Sequence, residues 1–140
     1  MKVMIDNNVV IDALKPNPGF ETVAKGVFQL VWQDKITPYL CANSLTDIFY
    51  ILQKLQGAVK TKTTIAKLIT VMNIVSLTVR DCTDALSLPL NDFEDAVIAV
   101  CAQKAGADCI VSRDEKFLKA ESPVAVITPD QLLFRLSTER

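Results

Sequence analysis

The stretch NDFEDAVIAVCAQKAGADCIVSRDEKF, residues 91–117, carries the pattern that decides the fold. Asn91 or Asp92 can cap a helix there, and Gly106 is typical of a helix end. An apolar run over residues 109–112 then predicts a strand, followed at once by further acidic residues. The helix is predicted to turn one apolar face inward, formed by Phe93, Ala96, Val97, Val100 and Cys101. A helix that leads into a short buried strand is typical of an α/β protein.

Outside this stretch, the chain alternates further strand-like and helix-like segments. Four short apolar runs predict strands over residues 2–5, 38–42, 74–79 and 124–127. Helical patterns cover residues 7–14, 20–31, 44–57, a segment beginning near Thr61 or Thr63, 81–88 and 129–136. Strands alternating with helices imply a parallel sheet covered on both faces. We therefore expect a three-layer α/β/α fold with a central parallel sheet of about five strands, formed by residues 1–140 as one domain.

The composition excludes several kinds of chemistry. Half of the 140 residues are hydrophobic and 22% are charged, which indicates a folded chain. Histidine is absent, which excludes imidazole bases, Ser-His-Asp triads and His-containing zinc sites. The four cysteines are scattered without a CxxC pair and are expected to be reduced structural thiols. Acid-base or metal chemistry must therefore rest mainly on the carboxylates, which belong to 11 aspartates and 5 glutamates.

The sequence also predicts where the protein works. No apolar run approaches the length of about 18 residues that a membrane span requires. The N-terminus MKVMID places an aspartate where a signal peptide needs its apolar run. We therefore expect a cytoplasmic protein that does not enter a membrane.

Five aspartates lie where strands meet helices. Asp6 ends the first strand, and Asp47 lies in the first turn after the second. Asp92 and Asp95 open the helix before the fourth strand, and Asp114 follows that strand by two residues. Because the carboxyl ends of parallel strands meet at one edge of the sheet, these carboxylates are expected to converge. Oxygen ligands without imidazole or thiolate select Mg²⁺ or Mn²⁺.

Most of these aspartates also have a purely structural interpretation. Residues 44–47, SLTD, fit the spacing of a capping box, and Asp92 can cap a helix with Asp95 at its third position. Asp114 can cap a short helix over residues 115–119. Taken together, however, converging carboxylates repel one another unless a cation lies between them. The set as a whole therefore favours a cation site.

These motifs resemble the PIN domain, a fold of metal-dependent ribonucleases. The similar segments are VMIDNNVVIDAL (3–14), SLTDIFY (44–50), residues 91–117 and VAVITPDQLL (124–133). The resemblance implies that the metal is bound by Asp6, Asp47, Asp95 and Asp114. It implies that these ligands are supported by Asn8, Ser112 and the auxiliary acid Asp92. Two positions depart from the pattern: Asn7 replaces the usual hydroxyl residue, and Asp47 replaces a frequent Glu, so that it reaches the metal directly or through water.

The small size of the chain resembles most closely the VapC-type toxins of bacterial toxin-antitoxin pairs. This resemblance implies an endoribonuclease that uses Mg²⁺ or Mn²⁺ and leaves 5'-phosphate and 3'-hydroxyl ends on RNA. It also implies a homodimer and an antitoxin protein as partner. A different class remains open, in which the fold is kept as a catalytically weak or inactive RNA-binding or protein-interaction module. A phosphoacceptor receiver domain fits poorly, because only Asp6 follows the first strand and the late strand ends in Ser112, Arg113 and Asp114.

One basic segment lies in an otherwise slightly acidic chain of net charge -1. No acidic residue occurs between Asp47 and Asp81, and this interval contains four lysines. This basic tract consists of Lys54, Lys60, Lys62 and Lys67. It is a candidate for contacts with RNA phosphates, and the alternative is the solvated face of two helices.

Overall fold

The computed structural model describes residues 1–138 and contains a parallel sheet of five strands in the order β3-β2-β1-β4-β5. The strands are Lys2–Ile5 (β1), Thr37–Cys41 (β2), Asn73–Val75 (β3), Cys109–Val111 (β4) and Val126–Ile127 (β5). The central strand β1 is buried from Val3 to Ile5, as expected for a parallel strand covered on both faces. The predicted five-stranded parallel sheet is confirmed.

Helices cover both faces of this sheet. They are Asn7–Leu14 (α1), Glu21–Trp32 (α2), Ser44–Gln56 (α3), Ala58–Val71 (α4), Val79–Leu86 (α5), Phe93–Ala105 (α6), Glu115–Lys119 (α7) and Pro129–Thr138 (α8). Val3 and Ile5 of β1 point into a core with α1, α2, α3, α4 and α8. Met4 points to the other side, into a core with α5, α6 and α7. The two cores on opposite faces confirm the three-layer arrangement.

The helix predicted most strongly from sequence has the predicted ends. The Asp92 carboxylate accepts hydrogen bonds from the backbone N–H groups of Glu94 and Asp95, at 2.9 and 3.3 Å. At the other end Gly106 adopts a left-handed φ of 70°, which a residue with a side chain would adopt only with strain. Residues 95–102 are all buried, since α6 lies against the sheet.

Several sequence expectations differ from the structure. The third strand ends at Val75, because the chain then turns into α5, which Thr78 caps in a reciprocal pair of hydrogen bonds with Asp81. The fourth helix begins directly after Gly57 and not near Thr61. Phe93 was expected to face inward and is 48% exposed, because it lies at the first position of α6, at the rim of the sheet.

Two further expectations concern the cysteines and the membrane. All four cysteines are free thiols, and Cys41, Cys101 and Cys109 are buried, as predicted. Over residues 1–138, no helix combines the length and the apolar character needed to cross a membrane.

Candidate active site

The carboxylate at the end of the central strand is buried and held from two sides. Asp6 is 2% exposed, and its Oδ2 accepts a 2.7 Å hydrogen bond from the Ser112 hydroxyl at the end of β4. Asn8, in the first turn of α1, donates to the same oxygen at 3.2 Å and to the Ser112 hydroxyl at 3.3 Å. The structure thus places both Asn8 and Ser112 in hydrogen-bond contact with Asp6. Both side chains donate to Asp6 Oδ2, so the other carboxylate oxygen, Oδ1, accepts no side-chain hydrogen bond within residues 1–138.

The junction between β4 and α7 brings Asp114 to the Ser112 hydroxyl that also contacts Asp6. Its backbone N–H donates to the Ser112 hydroxyl at 3.1 Å, so one hydroxyl links the ends of β1 and β4. Its Oδ1 accepts from the backbone N–H of Lys116 at 3.0 Å and caps α7. The capping interpretation is therefore correct for Asp114, as it is for Asp92. A cap occupies one carboxylate oxygen, however, and leaves the other available to a ligand.

Asp47 is held differently from the expectation. The capping box over residues 44–47 is not formed, since the residue preceding α3 makes no side-chain cap. Asp47 Oδ2 instead accepts from the side-chain amide of Asn7 at 3.3 Å. The same amide nitrogen donates to Glu94 Oε1 at 3.1 Å. Asn7 thereby bridges α3 on one face of the sheet and α6 on the other.

The cleft at the carboxyl edge of the sheet carries five acids, Asp6, Asp47, Glu94, Asp95 and Asp114. Its electrostatics are dominated by burial and by repulsion between these carboxylates. Burial, with smaller contributions from the charges of Glu94 and Asp114, raises the pKa of Asp6 to about 6, against the lowering effect of the Ser112 hydrogen bond. Burial and, after it, the charges of the surrounding acids, with Asp92 first among them, together raise the pKa of Asp95 to about 7. Partial burial, followed by the charge of Asp47, also raises the pKa of Glu94. These acids lie close enough to share one field.

Arg113, which lies between Ser112 and Asp114 in the sequence, is directed away from these acids. Arg113 donates from Nε and Nη2 to the carboxylate of Asp12, at 2.5 and 3.1 Å, and its guanidinium lies over the Phe20 ring at 4.4 Å. Asp12 is 2% exposed and also accepts from Asn17 at 2.6 Å. This ion pair fastens α1 to the β4–α7 junction and does not neutralise the acids of the cleft.

The donor set fits a hard divalent cation in its chemistry. Carboxylate oxygens are the ligands that Mg²⁺ and Mn²⁺ prefer, and no ion pair formed within residues 1–138 includes Asp6, Asp95 or Asp114. As they stand, no three acidic or cysteine side chains in this part of the chain are close enough to form a ready-made metal site. The residues therefore fit such an ion by the type and charge of their side chains.

Sequence reasoning missed two participants. Glu94 lies beside Asp95 in the sequence but was not singled out, although the residue pair was visible in the motif. Asn7 was identified only as a departure from the family pattern, whereas it connects Asp47 to Glu94. The lysines of the basic tract are exposed, and Lys54 lies over the ring of Tyr50 at 4.1 Å. Their contact with RNA stays a prediction.

Known proteins resemble this chain in sequence and in fold. A family model described as a PIN domain matches residues 2–116. Ribonuclease VapC1 from Aquifex aeolicus (strain VF5) is 22% identical over 142 residues, covering 98% of this chain and 96% of that protein. A toxin-antitoxin complex from Klebsiella pneumoniae matches with a TM-score of 0.68 at 16% identity, over 91% of this chain and 97% of that one. VapC20 of Mycobacterium tuberculosis, described as a toxin that cleaves the sarcin-ricin loop, matches with a TM-score of 0.65 at 17% identity, over 82% and 92% of the two chains.

Proposed function

This chain belongs to the PIN domain family, and we propose that it is a Mg²⁺- or Mn²⁺-dependent endoribonuclease that acts as the toxin of a toxin-antitoxin pair. The observation that carries the proposal is the group of carboxylates at the carboxyl edge of the sheet, where Asp6, Asp95 and Asp114 take part in no ion pair formed within residues 1–138. A structural cluster of acids would be expected to contain a balancing cation from the chain. A nuclease cleft retains the negative charge for a metal ion.

In this mechanism Asp6, Asp95 and Asp114 would hold the ion, and Asp47 would bind it directly or through water. When bound, a divalent cation would polarise a phosphoryl oxygen and lower the pKa of a water molecule. Ser112 and Asn8 donate to Asp6 and keep one of its oxygens fixed, which orients the other toward the cleft. These donors also favour the ionised form of Asp6, which is the form that binds a cation.

The absence of histidine limits the route of RNA cleavage. Activation of the ribose 2'-hydroxyl by an imidazole base, with a cyclic phosphate product, has no residue to perform it here. We therefore propose hydrolysis that leaves 5'-phosphate and 3'-hydroxyl ends. The proposed cellular setting is the cytoplasm, with a homodimeric toxin and an antitoxin protein as partner. The ribonuclease relative and the two toxin structures support this assignment by analogy.

A non-catalytic module is the second candidate, and two observations favour it. Asp92 and Asp114 each use a carboxylate oxygen to cap a helix, and no ready-made three-acid site occurs among residues 1–138. Such a protein would bind RNA or a protein partner without hydrolysis. The retained Asp6 and Asp95, both buried at the cleft, argue for catalysis instead.

Cleavage of mixed cellular RNA separates these two functions. The purified protein is incubated with RNA in Mn²⁺, in Mg²⁺ and in EDTA, and the product ends are identified by their susceptibility to 5'-phosphate-dependent exonuclease. We expect cleavage that requires the divalent ion and yields 5'-phosphate ends. Cyclic phosphate products would contradict the mechanism, and intact RNA under all three conditions would favour the non-catalytic module.

A further inference from the structure

Two lysines outside the basic tract lie beside the acids of the cleft. A cavity of about 640 Å³ opens next to Asp95 and is lined by residues from the loop before α6 and from α7. Asp92 and Asp95 form part of this lining, and Lys116 and Lys119 of α7 form another part. The cavity therefore combines a proposed catalytic acid with two positive charges.

The position of these lysines follows from the cap of α7. The backbone N–H of Lys116 donates to Asp114 Oδ1 at 3.0 Å, so this residue lies in the first turn after a proposed metal ligand. Lys119 follows three positions later, and residues three apart share one face of a helix. Both lysines are thus held by the same short helix that Asp114 begins.

Their charges are not used within the described chain. Residues 1–138 contain four ion pairs, and neither Lys116 nor Lys119 takes part in any of them. Both lysines are exposed, although two aspartates line the same cavity. The alternative explanation is structural: a lysine near the carboxyl end of a helix interacts favourably with the backbone carbonyl dipoles. In that case, replacing the lysines would not change the affinity for RNA.

An RNA strand must bring its phosphates into a cleft that repels them. Asp92 and Asp95 line the cavity itself, and the negative field of their carboxylates repels the phosphates of an approaching strand. Positive side chains at the rim offset this field for the phosphates on either side of the scissile bond. Lysine suits this role, since its ammonium group binds phosphate as a point charge without fixing the base sequence.

We propose that Lys116 and Lys119 bind backbone phosphates of the RNA and guide the strand along the cavity between α7 and Asp95. This inference rests on the proposed function and specifies the path along which the RNA substrate binds. It differs from RNA contact through the basic tract, which lies on α3 and α4 against the other face of the sheet. The two paths make different predictions for the same kind of substitution.

The test compares three double variants of equal charge change. Lys116→Ala/Lys119→Ala removes the proposed contacts, and Lys54→Ala/Lys60→Ala removes half of the basic tract. The control is Lys2→Ala/Lys35→Ala, at the amino ends of β1 and β2 on the opposite edge of the sheet. A fourth variant, Lys116→Arg/Lys119→Arg, keeps both charges and should restore binding.

Binding is measured first without cleavage. Each substitution is placed in an Asp95→Asn background, and fluorescence anisotropy follows binding of single-stranded RNA between 50 and 300 mM salt, a range chosen for the assay to bracket about 0.15 M ionic strength. We expect Lys116→Ala/Lys119→Ala to weaken binding about 10-fold or more and to reduce the log-log salt slope by about 1.4, or about 0.7 for each phosphate contact. The control pair should leave the slope unchanged. An equal effect from the control pair, or an effect from the basic tract alone, would overturn the proposal.

Cleavage kinetics in Mn²⁺ then test the role of the two lysines. Since the lysines contact phosphate in the ground state and in the transition state alike, KM should rise about 10-fold while kcat changes less than about 2-fold. A fall in kcat with unchanged KM would contradict substrate guidance. If the wild type binds RNA through these lysines but does not cleave it, the path stands and the nuclease assignment fails.

Discussion

Replacement of Asp95 by Asn should make the metal-free protein more stable while it abolishes RNA cleavage. Asp95 is 7% exposed, and burial together with the neighbouring acids raises its pKa to about 7, from an ordinary 3.8. Between these two pH values the folded state keeps a proton that the unfolded state has released. The free energy of unfolding therefore falls as the pH rises from about 4 to 7, and the loss is complete above pH 7.

The size of this effect follows from the two pKa values. Each pKa unit corresponds to about 1.4 kcal/mol, which sets an upper limit of about 4 kcal/mol. Water and counterions at the mouth of the cleft screen the charge, so we expect about 2 kcal/mol. Asn keeps the size of the side chain and carries no charge. In EDTA at pH 8, Asp95→Asn should raise Tm by about 6 °C for a chain of this length.

The assay is a set of thermal melts of both proteins in EDTA at pH 4 and 8, and at pH 8 with millimolar Mn²⁺. The advantage of the variant should nearly disappear near pH 4, close to the ordinary pKa of 3.8, because the carboxyl is protonated in the folded protein and partly protonated in the unfolded chain. Mn²⁺ should stabilise the wild type and have a smaller effect on the variant, since a ligand of the ion has been removed. The matched control is Asp130→Asn, an exposed aspartate in the first turn of α8, which should gain no stability. An unchanged or lower Tm for Asp95→Asn at pH 8, or normal cleavage, would refute the reasoning.

Four further substitutions are tested by urea unfolding in EDTA. Arg113→Gln should lower the free energy of unfolding by about 3 kcal/mol, because it leaves Asp12 buried with an unbalanced charge. Asp12→Asn should lower it by only about 1 kcal/mol, because Arg113 reaches solvent. Equal losses for the two variants would contradict this reasoning. Asn7→Ala removes a donor from Glu94 and should raise its pKa further, with a loss of about 1 kcal/mol at pH 8 that becomes smaller at pH 5. Gly106→Ala should cost about 1 kcal/mol through backbone strain alone, since its added Cβ meets no atom closer than 4.0 Å, and cleavage should be unaffected.

The acids of the cleft were predictable because they depend on local sequence and on a general property of parallel sheets. Asp6 follows an apolar run, and Asp114 follows another by two residues, so both had to lie near the carboxyl edge once the strands were parallel. The cap at Asp92 was equally visible, since it involves only residues two and three positions away. Local spacing and strand direction were sufficient for this part of the site.

Element ends and side-chain exposure were less predictable, because they depend on where the sheet stops. Phe93 has helical spacing with buried residues of α6, but it lies beyond the rim of the sheet and is exposed. The third strand ends after three residues because Thr78 and Asp81 form a cap that competes with continued pairing. The apolar periodicity of a segment predicts which of its faces is buried, but it does not predict how far the sheet that covers this face extends.

The sequence by itself determined the alternation of strands and helices, the absence of histidine chemistry and the positions of the acids along the chain. Only the tertiary structure decided which side chains meet across the sheet. Asn7 joins Asp47 to Glu94 over separations of 40 and 87 residues, and Arg113 joins Asp12 over 101. Such pairs cannot be predicted from sequence periodicity, because the spacing around each residue reflects only its own helix or loop and not its distant partner. Their contact arises when the parallel strands bring distant junctions to one edge.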